Sequence, residues 1–148
     1  MRLFLQRVTR AEVRIDGRVV GSIGAGLIAL VGVGHGDDEA VADAMAAKAV
    51  DLRIFRDDEG KTNRSLIDVG GDMLAVSQFT LYADTRKGRR PSLIDAAAPE
   101  VGERLYERFA AAVEGRGVRV ERGVFGAEME VELINDGPMT IWLDSEAR

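Results

Sequence analysis

Alternating apolar and polar residues open the chain with strands. Leu3, Leu5 and Val8 begin a pattern that resumes at Val13 and Ile15. Asp16-Gly17 marks a hairpin, and Val19-Val20 leads to Ile23 on the return. After Gly24 and Gly26, the unbroken apolar run from Leu27 to Val33 predicts a buried central strand, ended by Gly34-His35-Gly36. The period then changes. Val41, Met45, Ala49 and Leu52 recur at helical spacing behind Asp37 or Asp38, either of which suits an N-cap. Ser65 to Val69 predicts a short strand or edge segment, stopped by Gly70-Gly71. Met73 to Val76 continues as strand and turns polar at Ser77, Gln78 and Thr80. Pro99 suits the first turn of a second helix, with Val101, Leu105, Phe109 and Ala112 as its apolar stripe. Val118 to Arg122 and Met129 to Ile134 alternate as half-exposed strands, and Ile141 to Leu143 closes the pattern. The expected architecture is α+β. It is a single domain over 1–148, mostly antiparallel strands in a sheet or barrel-like arrangement, with two amphipathic helices.

Composition removes whole classes of chemistry. There is no cysteine, so thiolate nucleophiles, disulfides and cysteine metal sites are excluded. One histidine, His35, is the only imidazole a Ser-His-Asp triad could use, and a multi-histidine metal centre cannot be assembled. Asp57, Asp58 and Glu59 lack the spacing of a calcium loop, so Arg56 to Lys61 is expected to be a turn. Neither metal nor cofactor is expected. The apolar run at the N-terminus is too short for a signal peptide and no stretch reaches membrane-spanning length, so a cytoplasmic protein without a membrane partner is expected. A net charge of −5 does not favour DNA binding. The charge is uneven, however. Arg86, Lys87, Arg89 and Arg90 crowd into one loop, which could hold a few phosphates or simply be solvated.

Two stretches carry candidate chemistry. Ser77, Gln78 and Thr80 gather hydroxyls and an amide where a strand runs out, with Phe79 between them; such groups bind substrate, and they also occur as ordinary strand residues. Asn135-Asp136-Gly137-Pro138-Met139-Thr140 lies between two apolar runs and predicts a connection between strands. Gly-Pro there can be cis, which would turn carbonyl oxygens toward a small ligand with no side chain in the way. A plain turn is the alternative.

Together these stretches resemble the D-aminoacyl-tRNA deacylase (D-tyrosyl-tRNA deacylase) family. The matching residues are Ser77-Gln78-Phe79-Thr80-Leu81 and Asn135 to Thr140. Gln6-Arg7-Val8, Arg90-Pro91-Ser92 and Gly123-Val124-Phe125-Gly126-Ala127-Glu128-Met129 match in the same order. Met139 stands where the family usually has valine, and Leu93 where phenylalanine is common. The resemblance implies hydrolysis of the ester of D-aminoacyl-tRNA, and of glycine mischarged on tRNA(Ala). It also implies a homodimer in which the Gly137-Pro138 turn, cis in the family, enters the other subunit's pocket and excludes L side chains. By resemblance Arg7 holds that turn, Ser77 to Thr80 line the site for the ester and terminal adenosine, and Met129 and Asn135 join the substrate site. Arg86, Lys87, Arg89 and Arg90 are the expected tRNA phosphate contacts.

The chemistry leaves two routes open. Thr80 acts as a nucleophile, for which only His35 could be the base, or the substrate's 2′-hydroxyl activates water while amides around Gln78 to Thr80 stabilise the oxyanion. Two other functions compete with the whole reading. One is a non-catalytic RNA-binding module stacking bases on Phe79 or Phe125, which the 5% aromatic content disfavours. The other is a hydrolase of some other small ester or amide.

Overall fold

The computed structural model describes residues 1–147. The central strand is β1 (Arg2–Ile15), which meets β2 (Arg18–Ile23) through a two-residue turn. Asp16 and Gly17 hold φ values of 50° and 77°, the left-handed pair that matches strand twist in a tight hairpin. β3 (Gly26–Gly32) pairs antiparallel with the first half of β1, and β2 with the second. The opposite edge of β1 is taken along its whole length by β8 (Glu130–Asp144). β6 (Asp72–Ser77) and β7 (Val120–Arg122) extend the sheet beyond β3, both in parallel. A small hairpin, β4 (Phe55–Arg56) with β5 (Thr62–Arg64), stands apart.

The parallel pairings qualify the mostly antiparallel expectation, and they have a physical cause. α1 (Glu39–Asp51) lies between β3 and β6, and α3 (Pro99–Glu114) between β6 and β7. A helix inserted between neighbouring strands carries the chain back to its starting end, so the next strand runs parallel. β2 then curls over toward β7 and nearly closes a barrel. At Gly21 an added Cβ would lie 2.8 Å from the Arg122 carbonyl oxygen, so only glycine admits this approach.

Two helices are amphipathic as expected. Asp38 caps α1 by accepting from Val41 N, and Pro99 starts α3. The segment expected as an edge strand differs. Leu66–Val69 is a short helix, α2, because Ser65 and Asp68 form a reciprocal capping box and Gly70 ends it in the left-handed conformation. The 56–61 segment turns as expected, with the Asp57 carboxylate accepting from Glu59 N and Lys61 N.

The core lies on both faces of the sheet. Leu3, Leu5, Leu27, Val31, Met73 and Ala75 pack on α1 and α3, whereas Val8, Val13, Ile28, Leu74 and Val76 fill the barrel side. Register shifts in the β1–β8 pairing around Val8 let one strand serve both: Leu3 and Leu5 pack toward the helices, whereas Ala11 and Val13, of the same parity, lie on the barrel side. On the outside of α1 and α3, three ion pairs join equivalent turns: Glu39–Arg104, Asp43–Arg108 and Asp51–Arg116, at 3.2, 2.6 and 2.6 Å.

Candidate active site

β6 ends at Ser77, and the chain tightens at once into a 3-10 turn, Phe79–Tyr82. Where the strand runs out, this turn brings the Gln78 amide back onto Thr80, its Nε2 donating to Thr80 Oγ1 at 2.5 Å. Beside this turn opens a cleft of about 510 Å³. Val33 and Val76 to Phe79 form its floor. Ala97, Pro99 and Gly102 form one wall at the start of α3, and Phe125 to Met129 with Val131 the other.

The walls are held firmly. The Tyr106 hydroxyl donates to the Ala75 carbonyl at 2.7 Å, and its ring lies 6.4 Å from that of Phe125. Burial pushes this phenol well above its ordinary pKa, so Tyr106 is a strut and not an acid. Arg122 bridges Glu114 and Glu107 at 2.6 and 3.2 Å, fastening β7 to α3. The hydrogen bond that Arg122 donates to Glu114, together with that carboxylate's charge, raises the Arg122 pKa further.

Inside the cleft the polar groups are few. Ser77, Gln78 and Glu128 are the polar residues lining it, and Phe79, 56% exposed, stands at the rim. The Gln78 N–H is already spent on the Val31 carbonyl at 2.8 Å, which removes it from the expected oxyanion donors. The amides of Phe79 and Thr80 open the 3-10 turn, where the first N–H groups have no partner within the turn. Thr80 is exposed and lies next to the cleft lining, not in it. His35 is also absent from the lining; its Nε2 donates to the Ile94 carbonyl at 2.6 Å and pins that loop. Among the described residues no group of three or more acidic or imidazole side chains is placed to hold a metal.

The second stretch lies elsewhere. Asn135 pairs with Val8 and Thr140 with Gln6, so four residues of β8, Asp136 to Met139, stand against the single Arg7 of β1. The expected connection between two strands is instead a bulge: both flanking runs continue along the same neighbour in the same direction. Its Gly137–Pro138 peptide is cis. Asn135 closes the neck, its side-chain amide donating to the carbonyls of Arg7 and Met139 at 2.9 and 3.2 Å. Arg7 is buried, 2% exposed. It donates to the Ile54 and Asp136 carbonyls at 2.5 and 3.0 Å and pairs with the Asp136 carboxylate at 3.1 Å. Thus Ser77, Gln78, Phe79 and Met129 share the cleft, whereas Arg7, Asn135, Gly137 and Pro138 cluster beside Ile54, outside the cleft of their own chain.

The basic loop is anchored at its base by two main-chain hydrogen bonds between Asp84 and Ser92. Arg86 forks onto Asp84 at 2.9 and 2.7 Å, and these bonds hold the Asp84 carboxyl at a pKa of about 2. Lys87, Arg89 and Arg90 are exposed and make no ion pair among the described residues. The sequence marks Gly123 to Met129 as a family match and Phe125 as a stacking candidate, but it does not place Gly102 or Phe125 to Glu128 in a cleft wall.

Comparison with known proteins places this geometry. The family model described as D-Tyr-tRNA(Tyr) deacylase matches residues 4–144. A D-aminoacyl-tRNA deacylase of Thermomicrobium roseum is 61% identical over 145 residues, covering 98% of this chain and 94% of that protein. One from Ruegeria pomeroyi is 58% identical, covering 97% and 99%. Among solved structures, the c-Myc DNA Unwinding Element Binding Protein superposes with a TM-score of 0.93 at 37% identity, covering 99% of this chain and 100% of that one. A probable eukaryotic D-amino acid tRNA deacylase, 21% identical with a TM-score of 0.81 over 96% and 97% of the two chains, shares the fold.

Proposed function

Because the chain belongs to the D-Tyr-tRNA(Tyr) deacylase family, we propose that it proofreads chirality with main chain supplied by a second copy. It is an ester hydrolase acting on D-aminoacyl-tRNA: water adds across the ester, releasing the free D-amino acid and the ribose hydroxyl of the terminal adenosine. The finer reading is that the Gly137-Pro138 bulge of one subunit of a homodimer fills the space an L side chain needs in the partner's cleft. A wall of backbone rejects by exclusion, so it serves many D side chains without recognising any one. Glycine carries no side chain to exclude, so glycyl-tRNA(Ala) is accepted as well. The carrying observation is spatial. The bulge is fixed by Arg7 and Asn135 yet lies outside the cleft of its own chain, and Pro138 is exposed.

In and beside the cleft, the groups present favour positioning over covalent catalysis. Thr80 Oγ1 accepts from Gln78, and the single imidazole is engaged with Ile94, which leaves the hydroxyl without an imidazole base. The substrate's 2′-hydroxyl then activates water, while the Phe79 and Thr80 amides receive the oxyanion; one such donor is worth about 10²–10³ in rate. Lys87, Arg89 and Arg90 meet tRNA phosphates. The test is deacylation of matched D-tyrosyl- and L-tyrosyl-tRNA. Rapid loss of the D form alone is expected, with Thr80→Ala retaining substantial activity. Inertness toward both, from a folded dimer, returns the chain to the RNA-binding reading. Near-total loss in a folded Thr80→Ala protein instead makes Thr80 the nucleophile.

A further inference from the structure

We propose that Arg56 is a positioning residue for chiral selection, setting the Gly137 peptide from the solvent side. The proposal rests on the reading that this bulge screens the amino acid. Residues 136–139 have left the ladder with β1, so their backbone must be held by other groups. Arg7 holds the inner side, but it reaches only Asp136, through the main-chain carbonyl and the carboxylate. Arg56 approaches from outside. Its Nη1 donates to both oxygens of the Asp136 carboxylate at 3.1 Å, and its Nη2 donates to the Gly137 carbonyl at 3.4 Å. One carboxylate is thus gripped by a buried and an exposed guanidinium together. Only the second of these also touches the glycine whose carbonyl adjoins Pro138.

The placement of Arg56 follows from the local chain. Phe55 is buried while Arg56 faces outward, as alternation on β4 requires. Ile54, one residue earlier, supplies the carbonyl that Arg7 uses. The segment leaving α1 therefore provides an acceptor for one clamp and the donor of the other. A guanidinium suits this task because its nitrogens sit in a fixed plane and can serve two acceptors at once, whereas an ammonium is a single point. Its contact with Gly137 is long, so it biases the peptide and leaves folding to Arg7.

The test compares rates on D-tyrosyl- and L-tyrosyl-tRNA for Arg56→Gln, Arg56→Lys and a control, Arg64→Gln. Arg64 pairs with Asp58 on the same small hairpin, so it reports any general loosening there. For Arg56→Gln the D-to-L ratio is expected to fall about threefold to tenfold, as an exposed charge-assisted contact allows. The fall comes from a faster L reaction, with the D rate and Tm nearly unchanged. Arg56→Lys, which keeps the charge on Asp136 but not the second donor, recovers part of the ratio; it also carries the test should the glutamine variant not fold. Arg64→Gln keeps the full ratio. An unchanged ratio in Arg56→Gln, or equal losses on both substrates, overturns the proposal. An unaltered protein that hydrolyses both substrates equally instead refutes the underlying chiral reading, and takes this proposal with it.

Discussion

Arg7→Met removes a buried guanidinium and substitutes an apolar chain of similar reach. Two carbonyls, of Ile54 and Asp136, lose their donor, and the Asp136 carboxylate loses its inner partner. A buried acceptor left bare costs about 1–3 kcal/mol. The carboxylate is 32% exposed and keeps Arg56, so its share falls at the low end. The expected loss is about 3–5 kcal/mol in total, in the range for breaking a buried pair from one side. For a chain of this size that lowers Tm by roughly 10 °C. Urea unfolding followed by circular dichroism, at one fixed protein concentration because association adds apparent stability, measures it directly. Arg7 and Arg56 share Asp136 and each keeps it paired when the other is lost, so the double variant should cost more than the sum of the singles, by about 0.5 kcal/mol or more. A loss below about 1 kcal/mol, or strict additivity with Arg56→Gln, would refute the account of Asp136 as a shared hub.

Two further outcomes follow from the cleft and the basic loop. Gly102 is buried within α3, and a Cβ there would lie 3.5 Å from the Phe125 ring, an ordinary contact. Gly102→Ala should therefore stabilise the protein by about 0.5–1 kcal/mol in thermal unfolding, since glycine is the poorer helix former; destabilisation would show that the wall has no room for a methyl group. The Asp84 carboxyl should titrate near pH 2 by NMR, held down by the side-chain and main-chain hydrogen bonds from Arg86, and move up only part of the way toward about 3.9 in Arg86→Gln, which keeps the main-chain N–H. Its folded pKa is depressed, so its contribution to stability is present above the unfolded pKa and is lost as pH falls through about 2. A midpoint unmoved by the substitution would exclude the Arg86 guanidinium as the main cause.

Periodicity exposed the elements better than their partners. Leu27 to Val33 and the stripes of α1 and α3 announce themselves, because burial of one face writes a repeat into adjacent residues. The direction of β6 and β7 is not written that way; it depends on the helices that precede them. Asn135 to Thr140 shows the same limit. Apolar flanks and Gly-Pro predict a break, but that both flanks lie along β1 is a property of a distant strand. Ser65 and Asp68 did carry a local cue, the capping-box spacing, which the apolar Leu66, Ile67 and Val69 outweighed. Arg7 was visible only through family resemblance, and Arg56 not at all, because its partners are some 80 residues away.

The ion pairs between α1 and α3 act as an address. All the acids stand on α1, and the arginines on α3 or, for Arg116, just past its end; the rung between the second and third pairs carries no charge, being Ala47 and Ala112. Slide one helix by a turn and the code no longer matches. Asp43 would meet Arg104, while Ala47 would face Arg108 and Asp51 would face Ala112. The opposite slide leaves only Glu39 with Arg108. A continuous row of charges would tolerate either slip; a row with a gap accepts one alignment. Exposed pairs of this kind add little to stability one by one. Their larger effect is to tell α3, and with it the cleft wall at Pro99 and Gly102, where along α1 to stop.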